Sequence, residues 1–147
     1  MNPTGNRLRA QIKNMILSDV DIKKYIEKGT IKIDPYPNFE EQLGPCSLDL
    51  HLGNSFKIFK VSRYAFIDLK NKTDVEKMME EIVVKDEAPF IIQPRDFVIA
   101  ITREEILLPD NIMGRLDVLS SLARLGLVIH VTAARFDHGW KGKAIME

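Results

Sequence analysis

Gly114-Arg-Leu-Asp-Val-Leu-Ser-Ser-Leu-Ala-Arg-Leu-Gly-Leu127, followed by His130-Val-Thr-Ala-Ala-Arg-Phe-Asp-His-Gly-Trp140 and by Glu147, is the stretch on which the reading of this chain turns. Two adjacent hydroxyls at Ser120 and Ser121, cations at Arg124 and Arg135, and carboxylates at Asp137 and Glu147 fall there among residues otherwise of core type. Short strands with one helical turn around Ser120 to Leu125 are expected. Hydroxyls, guanidinium groups and carboxylates packed so closely outline a nucleotide site.

The rest of the chain frames that stretch. Ser18 reads as an N-cap, with Asp19 and Asp21 in the first turn, Ile22, Tyr25 and Ile26 on one face, and Gly29 as the stop. Thr30 to Ile33 alternates as a strand until Asp34-Pro-Tyr-Pro37 breaks it. Ser47 to Leu52 alternates polar and apolar, and Gly53-Asn54 reads as a hairpin turn into Ser55 to Val61. Further strands are expected at Ala65 to Leu69, Ala88 to Ile92 and Asp96 to Thr102, and a turn at Pro109-Asp110-Asn111. Thr73 with Glu76 three residues on forms a capping box, predicting a second helix that buries Val75, Met78, Met79 and Ile82. Many short strands with brief helices predict a mostly β fold, a sandwich or barrel decorated by helices.

Composition narrows the class. At 147 residues a single domain is expected. Met1 to Asn14 is polar with scattered apolar residues, predicting a flexible extension before a domain over 15–147. With 21 basic and 21 acidic residues the net charge is zero, so nothing points to nucleic acid or a membrane surface. No apolar run approaches the roughly 18 to 20 residues of a membrane span. A lone Cys46 excludes an internal disulfide and a multi-thiolate metal site, consistent with a cytoplasmic setting.

Each singled-out residue also has a plain structural explanation. The paired serines serve equally as an N-cap, Asp117 as another capping carboxylate, and Arg124 and Arg135 as solvated cations. His130, between Ile129 and Val131, reads as a structural histidine with its hydrogen bonds met, and His51 and His138 carry no catalytic spacing. Trp140 reads as packing, Met78-Met79 as core filling on a helix, and Cys46 as a small buried group.

The quoted stretch resembles the dCTP deaminases of the trimeric dUTPase superfamily, where the matching runs read G-W-L-D-G-R-S-S-L-A-R-L-G-L and T-A-x-R-I-D-P-G-W. Leu17-Ser-Asp19, Leu48-Asp-Leu-His-Leu-Gly53, Phe66-Ile-Asp-Leu69 and Leu108-Pro109 match as well, so the resemblance runs from about Ile16 to Glu147. It implies a dUTPase-like distorted jelly roll or β-barrel, here expected to be incomplete at its C-terminus, since family members continue for several strands. Val118 and Leu119 stand where the family has Gly-Arg, His138 where it has Pro, and Arg95 where it has the Gly of a P-G turn. If the family Gly lies at positive φ, Val118 is strained. Leu119 lacks a guanidinium that serves the triphosphate.

That resemblance also implies a chemistry: hydrolysis of dCTP to dUTP and ammonia in pyrimidine deoxynucleotide biosynthesis. Water must attack C4 while N3 gains a proton, and one carboxylate suits both transfers. Zinc deaminases instead use His and Cys ligands with a P-C-x-x-C signature, which this chain lacks, so no zinc is expected. Carried over, the base is Glu147, Ser120 helps hold the water, and Arg124 supports the site. Substrate contacts fall to residues 119–124 (Leu119, Ser120, Ser121, Leu122, Ala123, Arg124), partly through backbone N–H groups, and to Asp137, Ile145, Met146 and Glu147. Family sites lie between subunits of a homotrimer, with Mg²⁺ on the triphosphate and with dTTP or dUTP as further nucleotide ligands. Relatives that also cleave the triphosphate read T-A-G-W/F-I-D, whereas Thr132-Ala-Ala-Arg-Phe-Asp137 matches those that stop at dUTP. Two other readings stay open: a non-catalytic nucleotide-binding paralogue or fragment of a longer deaminase, and a dUTPase-type pyrophosphatase.

Overall fold

Helix α1 spans Asp19–Glu27 because Ser18, in extended conformation, accepts the Asp21 amide at 3.3 Å on its hydroxyl, while Asp19 and Asp21 face the positive end of the helix. It ends at Gly29, where φ is +68°, and the chain closes back with Gly29 N–H to Ile26 and Thr30 N–H to Tyr25. The inward face of α1 delivers Ile26 to a cluster with Ile31, Ile33, Ile106 and Leu108, flanked by Leu17, Ile22, Tyr25, Phe136 and Trp140. Each such side chain contributes about 1.5 to 3 kcal/mol relative to exposure. The computed structural model describes residues 16–60, 77–85, 88–130 and 134–147. The expected extension over 1–14, the strand over 65–69 and the capping box at Thr73 and Glu76 lie outside the described residues.

The elements that follow are β1 (Lys32–Asp34), α2 (Phe39–Gln42), β2 (Leu52–Phe59), β3 (Met79–Val83), β4 (Val98–Leu107), β5 (Gly114–Arg115), α3 (Ser120–Ala123), β6 (Arg135–Phe136) and β7 (Lys141–Met146). The result is mostly β, as expected. Among the described residues, five strands form one antiparallel sheet around β4. One edge of β4 carries β1 and β2, with β3 beyond β2, and the other carries β7; β5 and β6 pair separately. Along β4 and just past it Thr102, Glu104, Ile106 and Leu108 are buried, the period-two face of a strand on a core.

Several expectations need correction. No hairpin turns at Gly53-Asn54: β2 runs through both residues, and Leu48 makes only an isolated bridge with Leu43. Gly53 is needed for close approach instead, since a Cβ there would sit 2.8 Å from the Ile101 carbonyl oxygen. The second helix does not continue through Met79 and Ile82, which lie in β3 and pair with Phe59 and Phe56; edge pairing overrides the helical spacing. Residues 88–92 form no strand; Phe90 stacks on Phe56 with ring centroids 4.0 Å apart. The strand expected over Asp96 to Thr102 begins at Val98 and extends to Leu107, and β1 begins two residues later than expected. Cys46 is exposed rather than buried. The turn at Pro109 is present, with the Ile112 amide bonded to its carbonyl at 3.3 Å.

Candidate active site

Residues of the quoted stretch are placed by two small devices. The β5–β6 pair aligns Gly114 with Phe136 and Arg115 with Arg135, and the Leu116 amide donates to Ala134 at 2.7 Å. Gly114 is closely packed: a Cβ there would lie 3.1 and 3.3 Å from the Phe136 and Leu108 side chains, which would have to give way slightly to admit it. Past this ribbon the chain makes α3 and leaves it through Gly126, at φ +83°. The N-cap of α3 is Leu119, which makes no side-chain cap; Ser120 and Ser121 are already helical, so neither caps the turn. Asp117 is not a cap either, but pairs with Arg115 at 3.2 Å.

At this helix start the Leu122 and Ala123 amides already donate to the Leu119 carbonyl at 3.0 Å. Among the described residues the Ser120 and Ser121 amides have no acceptor, so of the four backbone donors expected to meet phosphates over Ser120 to Ala123 two are already engaged. Arg124 is the C-cap and is exposed. Val118 is not at positive φ: among the described residues Arg95, at +77°, is the non-glycine residue with that conformation. The strain expected at Val118 is absent, and Arg95 is where the φ argument applies. There Pro94-Arg95 forms a turn closed by the Asp96 amide on Gln93 at 3.0 Å and by the Gln93 amide on the Asp96 carboxylate at 2.9 Å.

Glu147 reaches this region through β7. Ile145 and Met146 pair with Ile101 and Ala100, and the Glu147 amide donates to the Ile129 carbonyl at 2.7 Å. That bond ties the end of β7 to the segment leaving α3. Asp137 is held by Arg135, Nε to Oδ1 at 2.9 Å, on the exposed surface. Among the described residues no hydrogen bond or ion pair joins Ser120 or Arg124 to Asp137. His130 also departs from expectation, since its Nδ1 is buried and has no hydrogen-bond partner among the described residues. Around these groups Leu119, Leu125, Leu127, Val128 and Ile145 are exposed, Leu125 at 83%.

Gln42, His51, Thr102 and Glu104 form a largely buried polar network that the sequence does not reveal. Glu104, 1% exposed, accepts the His51 amide on Oε2 at 2.9 Å, while Oε1 lies 2.7 Å from His51 Nδ1 and 3.4 Å from Gln42 Nε2. Gln42 also donates to the Asp49 carbonyl at 2.9 Å and accepts the Asn38 amide at 2.8 Å. Thr102 donates to the Glu104 carbonyl and accepts the Ala144 amide, both at 2.9 Å. The signal available was Thr102-Arg-Glu104, a polar interruption in an apolar strand; nothing in the sequence named its distant partners. No group of three or more His, Cys, Asp or Glu suited to a metal ion occurs among the described residues, and none of their helices is long and apolar enough to cross a membrane.

A family model described as dCTP deaminase-like matches residues 16–147. A dCTP deaminase of Thermomicrobium roseum is 52% identical over 133 residues, which are 90% of this chain and 68% of that protein. A dUMP-forming dCTP deaminase of Methanosphaera stadtmanae is 47% identical over 132 residues, 90% of this chain and 66% of that one. The chain thus spans about two thirds of the length of these relatives. The crystal structure of the 2'-deoxycytidine 5'-triphosphate deaminase from Agrobacterium tumefaciens superposes with a TM-score of 0.65 at 20% identity, covering 89% of this chain and 40% of that one; the two share a fold.

Proposed function

The chain belongs to the dCTP deaminase-like family, and on that premise we propose that it converts dCTP and water to dUTP and ammonia. The observation that supports this most directly is the 2.7 Å bond from the Glu147 amide to Ile129, which ties the candidate base to the segment following the serine helix. In this reading the Glu147 carboxylate takes a proton from water, the water oxygen bonds to C4, and the proton passes to N3. The hydroxyl proton then moves through the same carboxylate to the amine, the C4–N bond breaks, and ammonia leaves as the C4 carbonyl forms. A positioned base of this kind supplies about 10² to 10⁴ in rate.

Ser120 would orient the water, Arg124 would support the site, and Asp137 would meet the deoxyribose or base. The Ile145 and Met146 backbone would contact the pyrimidine. Residues 119–123 would face the triphosphate, with the Ser120 and Ser121 amides as donors. Magnesium would enter with the triphosphate: the described residues offer no carboxylate cluster to hold it, so phosphate oxygens would be its ligands. The exposed apolar surface around Leu125 and Val128 supports assembly as a homotrimer, the expected state in the cytoplasm. Arg135 favours dUTP as the final product.

Incubating the chain with dCTP and Mg²⁺ and separating the nucleotides tests this. Equimolar dUTP and ammonia are expected. Accumulation of dUMP would place the chain with the dUMP-forming relatives. Binding of dCTP without turnover would leave the non-catalytic reading, which the exposed, uncharged Leu119 favours.

A further inference from the structure

Two ladder irregularities meet on β4. On the β7 side, Ile101 pairs with Ile145 and Glu105 with Lys143, so Thr102, Arg103 and Glu104 stand opposite Ala144 alone. On the β2 side, Leu52 pairs with Thr102 and Phe56 with Ala100, so three residues of β2 stand opposite Ile101. Such a bulge leaves backbone groups without ladder partners. The Ala144 amide cannot turn to water, because that residue is fully buried. Its acceptor is the Thr102 hydroxyl at 2.9 Å, which passes its own proton to the Glu104 carbonyl at 2.9 Å. One side-chain oxygen thus replaces the missing rung.

The irregularity sets where the end of β7 lies. If the pairing of Glu105 with Lys143 continued regularly, Ile145 would stand opposite Arg103; the bulge places it opposite Ile101 instead. That is a two-residue offset, about 6 to 7 Å along the strand at roughly 3.3 Å per residue. Glu147, three residues past Ala144, moves with it. The bulge is itself held from the β2 side, where the Arg103 amide donates to His51 at 2.8 Å and the His51 amide to the Glu104 carboxylate at 2.9 Å. With β4 fixed there, the buried Thr102 hydroxyl is the side-chain link to β7 at the bulge itself, while the exposed Glu105–Lys141 pair, 3.5 Å apart, joins the two strands on the other side of it.

We propose that Thr102 is a positioning residue for Glu147: its buried hydroxyl fixes the offset of β7 and so the placement of the base, without touching substrate. This rests on the reading of Glu147 as the base. Catalytic groups lose about 10²-fold in rate when misplaced by 1 Å, so the effect belongs in turnover and not in affinity.

The test compares Thr102→Val, which keeps the shape and loses the hydroxyl, with Thr102→Ser, which keeps it. Two readouts are taken on each: kcat and KM for dCTP with Mg²⁺, and amide hydrogen exchange at Ala144 and Glu147 by NMR. The valine variant is expected to lose roughly ten- to hundredfold in kcat with KM little changed, and to exchange faster at both amides. Serine is expected to restore both. Unchanged kcat in the valine variant, equal losses in both variants, or parent-like exchange at Ala144 and Glu147 would overturn the proposal. If the parent does not turn over dCTP, the functional reading fails separately, and the exchange data still decide whether Thr102 fixes Glu147. If the valine variant does not fold, Thr102→Cys, whose thiol is a weak partner, takes its place: faster exchange supports the proposal and parent-like exchange sinks it.

Discussion

Replacing Glu104 by alanine is the most informative single perturbation of this fold. The carboxylate is 1% exposed and meets the His51 amide at 2.9 Å, His51 Nδ1 at 2.7 Å and Gln42 Nε2 at 3.4 Å. Bonds to a charged group are worth about 1.5 to 3 kcal/mol each, and alanine also leaves a cavity beside Thr102. Against this, a buried carboxylate no longer has to be desolvated. Removing one partner of such a buried set typically costs about 3 to 5 kcal/mol. For a chain of this size each kcal/mol lowers Tm by about 2 to 4 °C, so a fall of roughly 6 to 20 °C is expected. Glu104→Gln should cost less, about 1 to 3 kcal/mol, because its oxygen can still accept the His51 amide while its NH₂ faces the Gln42 donor. His51→Ala removes the ring but keeps the backbone bond, and since that side chain is 51% exposed the loss should be the smallest of the three. Urea unfolding, followed by far-UV circular dichroism and Trp140 fluorescence at one fixed protein concentration, measures all three. A stability for Glu104→Ala within about 0.5 kcal/mol of the parent would refute the claim that this network holds the sheet to the loop before β2.

Arg95→Gly should stabilise the chain by about 1 kcal/mol, since φ +77° strains any residue with a Cβ; an unchanged urea midpoint would count against that turn. Gly53→Ala should destabilise by about 1 to 3 kcal/mol, because its Cβ would press on the Ile101 carbonyl at 2.8 Å, and a neutral result would show that β2 and β4 part easily there. Glu147→Gln should abolish deamination while leaving dCTP affinity nearly intact, as calorimetry beside a product assay would show; retained turnover removes Glu147 from the mechanism. Leu119→Arg alone should tighten dCTP binding by roughly tenfold or more at low salt, because Val118 carries no φ strain that would mis-aim the new side chain, and the gain should shrink as salt rises. Affinity that does not respond to the added cation would mean that position 119 does not face the triphosphate.

The sequence by itself determined local structure wherever the cause is local. Ser18, Asp19, Asp21 and Gly29 bound α1 through bonds made within a few residues, and the turn at Pro109 follows from its own residue types. Family membership was equally legible, because Ser120 to Leu127 and Thr132 to Trp140 carry a residue order that no generic strand or helix requires. The tertiary structure decided what depends on a distant partner. Met79 to Ile82 had a helix's spacing, yet β2 offered an edge and the segment became β3. Gly53 looked like a turn residue, but the Ile101 carbonyl needs its empty side, so the hairpin vanished. Gln42, His51, Thr102 and Glu104 are unremarkable as letters, since a polar residue shows its cost only once burial removes its water. Where Glu147 lies was settled in the same way, by a bulge on β4 and a hydroxyl that fills it.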